Sequence, residues 1–178
     1  MRKYVVFIIA TIFTSGLFAQ SNSVVTEDIK GDGYTYVKET WNNTLKVKLY
    51  NKENQYTNTP LVNKNTGERP SIRIQEKRVE DDDLTFSRID MIINKAFTDA
   101  QKEAVKGHCF GIAIYINSTT GRIMEIDYSF IKTSPFAEIP VSVFREIELK
   151  VKDEICFMIT DAGRKYNYVY FFWMHEIE

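Results

Sequence analysis

Histidine and cysteine are scarce in this 178-residue chain, at two each, and proline is nearly so at four. Two cysteines permit at most one disulfide. Two histidines cannot complete a metal site, which needs three or four ligands, without help from carboxylates. Neither sign of charge dominates, with 23 basic and 24 acidic side chains and a net charge of −1, which excludes the basic surface a nucleic-acid partner requires. Past the first twenty residues no apolar run approaches the roughly 20 residues of a membrane span. Internal repeats and long low-complexity segments are also missing, and no nucleophile, base and orienter can be grouped from the pattern.

What is present begins with Arg2 and Lys3, an apolar run from Tyr4 to Phe13, then Thr14, Ser15, Gly16 and a small Ala19 before Gln20. This is the form of a secretory signal peptide, residues 1–19, cleaved after Ala19. No cysteine follows the run to carry a lipid, so an exported protein, periplasmic or secreted, with no stable membrane insertion after cleavage is expected. Losing Arg2 and Lys3 from the 23 basic residues leaves 21 against 24 acidic ones, a mature net charge of −3. Residues 20–178 are long enough for one domain with a true core, and the 44% hydrophobic content supports a globular chain.

The most informative stretch runs from His108 to Phe130. Phe110, Ile112, Ile114 and Ile116 share one parity, and Met124, Ile126, Tyr128 and Phe130 another, so each strand has an apolar face of period two. Pairing Ile116 with Met124, Ile114 with Ile126, Ile112 with Tyr128 and Phe110 with Phe130 aligns those faces. Thr119, Thr120 and Gly121 then form the loop, with the glycine where a left-handed residue is needed.

Around this hairpin, residues 24–79 read as β-rich and polar: Tyr34 to Thr40 alternates, Trp41-Asn42-Asn43 turns, and Leu45, Val47 and Leu49 face away from Lys46 and Lys48. Asn51 to Pro70 is loop by its Asn, Thr, Pro and Gly content. The acidic run Glu80 to Asp83 suits the positive end of the helix that follows. That helix spans Leu84 to about Val105, with Ile89, Ile92 or Ile93, Ala96 or Phe97, Ala100 and Ala104 inward. Pro140 opens another, striped by Val141, Phe144, Ile147, Val151, Ile155 and Met158, with Glu148 and Glu154 on its polar side. Tyr166 to His175 is the last strand. An antiparallel sheet with this order requires the isoleucine-rich strand in the middle. The fold expected is α+β, with two helices on one face of an antiparallel sheet and an N-terminal β-hairpin region. Phe110 is expected opposite Trp173, Ile112 opposite Phe171 and Ile114 opposite Val169.

The helix-strand-strand-helix-strand order over residues 84–176, and the segment GIAIYINSTTGRIMEIDYSF, resemble the C-terminal domain of the TonB energy transducer. The whole chain, with LYNKENQYTNTP, resembles small exported proteins of unknown function from gut Bacteroidota. The last strand, Tyr166 to His175, is expected to be a sheet edge that invites strand addition by an envelope protein, a peptide or a second copy, a mechanism that also matches the TonB resemblance. That resemblance does not imply energy coupling, because a retained anchor and a proline-rich linker are missing.

The expected register places His108 opposite His175, with Glu176 or Glu178 near enough to complete a metal site, although two imidazoles at a sheet margin are more commonly solvated rim residues. An envelope hydrolase or metal-dependent enzyme built on that end is the alternative to a non-enzymatic binding module. Cys109 and Cys156 are read as unbridged, buried or half-buried thiols, since roughly 24 Å of helix separates them. The better site lies on the sheet face away from the helices, where Gly111, Ala113 and Tyr115 meet Glu125, Asp127 and Ser129 on one side and Tyr168, Tyr170, Phe172 and Met174 on the other. Aromatic rings over small residues with carboxylates alongside suit a peptide, sugar or cationic group. The competing expectation is that the N-terminal hairpin around Tyr36, Trp41 and Leu45 to Leu49 lies over this face. No catalytic residue and no cofactor is assigned.

Overall fold

The computed structural model describes residues 23–70, 76–80 and 83–178, so the expected signal peptide, residues 1–19, lies outside the described residues. Its sheet is antiparallel throughout and has six strands: β1 (Val24–Gly31), β2 (Tyr34–Trp41), β3 (Lys46–Asn51), β4 (Cys109–Ile116), β5 (Ile123–Ile131) and β6 (Val169–Glu176). Their spatial order is β1-β2-β3-β5-β4-β6. Among the described residues the α-helices are α1 (Asp83–Ala96), α2 (Asp99–Val105), α3 (Val141–Glu154) and the short α4 (Asp161–Arg164), with a 3-10 turn at Pro135–Glu138. This is the α+β arrangement expected, with β4 between its two neighbours.

Alternation explains the core. Phe110, Ile112, Ile114 and Ile116 of β4 and Ile126, Tyr128 and Phe130 of β5 all point to the helix side, where they meet Ile89, Ile92 and Ile93 of α1 and Phe144, Ile147 and Val151 of α3. The N-terminal hairpin does not fold over the opposite face. Instead β3 pairs with β5, Val47 opposite Phe130 and Leu49 opposite Tyr128, so the apolar face is prolonged in the plane of the sheet and the open edge of β5 is satisfied. Tyr36, Val47 and Leu49 thereby join the main core.

Within the hairpin, Ile112 faces Tyr128 and Ile114 faces Ile126 as expected, but a bulge between Tyr115 and Ile116 sets Ile116 against Ile123 and not Met124. Met124 packs instead with Ala113, Tyr115 and Tyr168. Gly121 has φ of +75°, and a β-carbon there would collide with the carbonyl of Phe157, so glycine is required twice over.

The β4–β6 register differs by two residues from expectation: Phe110 faces His175, Ile112 faces Trp173 and Ile114 faces Phe171. A two-residue slide keeps every side chain on its face. It also gives Ile116 a partner in the fully buried Val169, which the expected register would leave facing Ile114.

The long first helix is two. Thr98 breaks it, its hydroxyl accepting from the Gln101 backbone while the Gln101 side chain accepts from the Thr98 N–H, which starts α2 afresh and leaves Ala100 and Ala104 exposed. Helix α3 stops at Glu154, and Ile155, Phe157 and Ile159 then turn inward at period two while Met158 is exposed.

Candidate functional site

The sheet face away from the helices is divided by a single loop. Residues 52–70 cross it and are held by the two carboxylates of β5. Glu125 accepts the backbone N–H groups of Gln55 at 2.6 Å and Tyr56 at 2.7 Å. Asp127 is 2% exposed and accepts from the Tyr115 hydroxyl and the Thr57 hydroxyl at 2.8 Å each and from the Asn54 amide at 3.1 Å. The Lys48 ammonium lies 3.2 Å from the oxygen that also accepts from Tyr115, so this buried carboxylate is both paired and hydrogen-bonded. Tyr168 donates its hydroxyl to the Thr59 carbonyl at 2.6 Å and meets the Tyr56 ring edge-on at 5.2 Å. Tyr115, Tyr168, Glu125 and Asp127 are thus brought together as the sequence suggests, with their polar atoms turned to the loop. Burial, and then the charge of Asp127, push the Tyr115 hydroxyl far above its ordinary range, so it acts as a donor.

Beyond the loop the face is uncovered. Tyr170, Phe172 and Met174 of β6 are 38%, 50% and 57% exposed, and Ile131 on the same face is 57% exposed. Between β6 and β3 runs a concave groove of about 240 Å³. Ala113 and Ser129 form its floor, Tyr170 and Phe172 one wall, and Trp41 and Lys46 the other. Gly111 shares this face by parity but is covered: a β-carbon there would stand 2.5 Å from the Ser129 hydroxyl and 2.7 Å from the Phe172 ring, so the ring lies across its bare backbone.

The histidines do not meet. His175 projects to the core side opposite Phe110, 8% exposed, with Nδ1 3.2 Å from an Asp90 carboxylate oxygen. Its Nε2 is buried without a partner among the described residues. Burial pushes its pKa below 6.5, and the nearby Asp90 and Glu178 carboxylates offset this only in part. His108 is exposed before β4 begins, its Nδ1 3.1 Å from the Lys106 carbonyl. The imidazole pair on which a metal-dependent enzyme would rest is therefore not formed, and among the described residues no cluster of three His, Cys, Asp or Glu side chains is placed to hold a metal. Cys109 and Cys156 are unbridged but exposed, contrary to the burial expected. Cys156 lies past the end of α3 and donates its thiol to the Thr120 carbonyl at 3.5 Å.

One polar cluster escaped the sequence reading. Glu148 is fully buried, not solvated, accepting from the Tyr36 hydroxyl at 2.5 Å and from Arg145 at 2.8 Å, with Lys152 at 3.2 Å. Burial pushes its carboxyl up, but the Tyr36 and Arg145 hydrogen bonds and the two cations outweigh this and hold it below its ordinary 4.5. The signal was available. Position 148 follows Phe144 by one turn, on the flank of the apolar stripe, with cations three residues before and four after.

Residues 22–173 match the model of a domain of unknown function, DUF5043. The chain belongs to this family. A crystal structure of a DUF5043 protein from Bacteroides uniformis is similar to it, with 32% identity and a TM-score of 0.81, covering 85% of this chain and 91% of that one. No curated protein matches the chain. The DUF5043 match begins beside β1 and reaches Trp173 in β6, so it takes in β1 to β5, the first part of β6 and the groove walls together.

Proposed function

We propose that this DUF5043 protein is an exported interaction module of the cell envelope, without enzymatic activity, that receives an extended segment of a partner protein along β6. One observation carries this reading: the two ends of the sheet are unequal. At the β1 end, Glu27, Asp28 and Lys30 place charges along the edge, the usual protection against unwanted pairing. At the β6 end, Val169 to Met174 is an uncharged run whose alternate members Tyr170, Phe172 and Met174 are exposed, and no described strand lies outside it. A strand added there gains main-chain hydrogen bonds and sets its own alternate side chains beside those three. Export is supported by Arg2, Lys3, the apolar run and Ala19.

Amide hydrogen exchange of the mature protein, kept monomeric by dilution, tests this. Alternate β6 amides, those turned from β4, should exchange orders of magnitude faster than their neighbours. Uniform protection across Val169 to Glu176 in the monomer would remove the proposal. Protection that rises with protein concentration would make a second copy the partner.

A further inference from the structure

We infer that the groove between β3 and β6 is a binding site for a small organic anion, a ligand with one planar or flat-faced ring and a carboxylate. The site lies inboard of the β6 edge, over β5 and β4, so it does not depend on strand addition.

Shape limits the ligand first. With strands about 4.8 Å apart, the distance from β3 to β6 is roughly 14 Å, and the floor between them is Ala113 and Ser129. Such a floor admits a ring lying flat, and the volume of about 240 Å³ is below the 300–1,000 Å³ range usual for drug-sized ligands. Phe172 and Tyr170 on one side and Trp41 on the other supply aromatic surface, which favours a planar or flat-faced ring.

Charge then selects the sign. Asp127 is the one carboxylate lining the groove, and its oxygens are already taken by Lys48, Tyr115, Thr57 and Asn54. A cationic ligand would find no free acceptor there. Lys48 spends its charge on Asp127 and one N–H on the Thr57 carbonyl. Lys46, directly across from Trp41, is exposed and has no hydrogen-bond or ion-pair partner among the described residues. The lining therefore has one uncompensated positive charge beside an aromatic wall. A carboxylate at Lys46 with its ring over Ser129 and Ala113, against the Phe172 ring, uses both.

The test is a titration of isotope-labelled mature protein, followed by amide and indole N–H shifts, with indole-3-acetate, galacturonate and tryptamine as probes. Ala113, Ser129 and the Trp41 indole should shift with at least one of the acids and not with tryptamine. The Trp173 indole, on the core side, should stay still. Response to indole-3-acetate alone assigns an aromatic acid, to galacturonate alone a sugar acid, and to both the shared ring and carboxylate. Lys46→Glu, a change at an exposed side chain, should weaken binding at least tenfold, while Lys46→Arg retains it. Tryptamine binding as well as the acids, an unaltered affinity in Lys46→Glu, or no shift from either acid at about 5 mM would overturn the inference. None of these results bears on exchange at the β6 edge, so the two proposals fail separately.

Discussion

At the scale of single residues, the chain's most committed groups are two carboxylates on opposite faces of one sheet. Asp127 ties β5 to β3 through Lys48 and to the crossing loop through Thr57 and Asn54. Glu148 ties α3 to β2 through Tyr36. Each is almost fully buried and accepts bonds from several donors, so removing the acceptor strands those donors away from water. Asp127→Ala should lower the unfolding free energy by about 3 kcal/mol, because the Tyr115, Thr57 and Asn54 donors lose their acceptor and the half-buried Lys48 loses its ion partner. Urea denaturation gives the figure directly, and a loss under about 1 kcal/mol would mean that the loop and Lys48 find water instead.

At the scale of elements, what could be read in advance follows how local each signal is. The alternation of Phe110 to Ile116 and the glycine at 121 are properties of neighbouring residues, and the hairpin they specify forms apart from one bulge. The break between α1 and α2 was equally local: Thr98 and Gln101 stand in capping-box spacing, but the apolar positions on either side continue a helical rhythm and hide it. Thr98→Ala should cost about 1 kcal/mol, the usual worth of an N-cap side chain, and a thermal melt measures it. The β6 register was less accessible, since a slide of two residues leaves each face unchanged and only the burial of Val169 against Ile116 decides between alternatives. The site was half legible. Parity placed Tyr115, Asp127, Tyr170 and Phe172 on one face, but which of them serve the loop and which line the groove depends on contacts between residues 52–70 and β5, separated by some 70 positions.

At the scale of the molecule, the six-stranded sheet with helices on one face only gives the core two titrating points, one at each side of the helix layer. His175 faces Asp90 of α1 and the nearby Glu178, and is held neutral by burial, below its ordinary 6.5. Unfolded chains take up that proton as pH falls through 6.5, whereas the folded state takes it up only at lower pH. The contribution of His175 is therefore whole above 6.5 and is lost on acidification between 6.5 and its folded value. Glu148, facing Arg145 and Lys152 of its own helix and Tyr36 of β2, is held ionised below 4.5. Its contribution is present above 4.5 and is lost as pH falls through the lower folded value. Acid should thus weaken the fold in two stages, and urea midpoints taken at about pH 8, 5.5 and 3.5 separate them. His175→Phe, which keeps the ring against Phe110, should flatten the first stage only, and Glu148→Gln the second. A His175→Phe profile that still falls between about pH 8 and 5.5 would place the first stage elsewhere, because the substitution removes the buried base whose late protonation drives it.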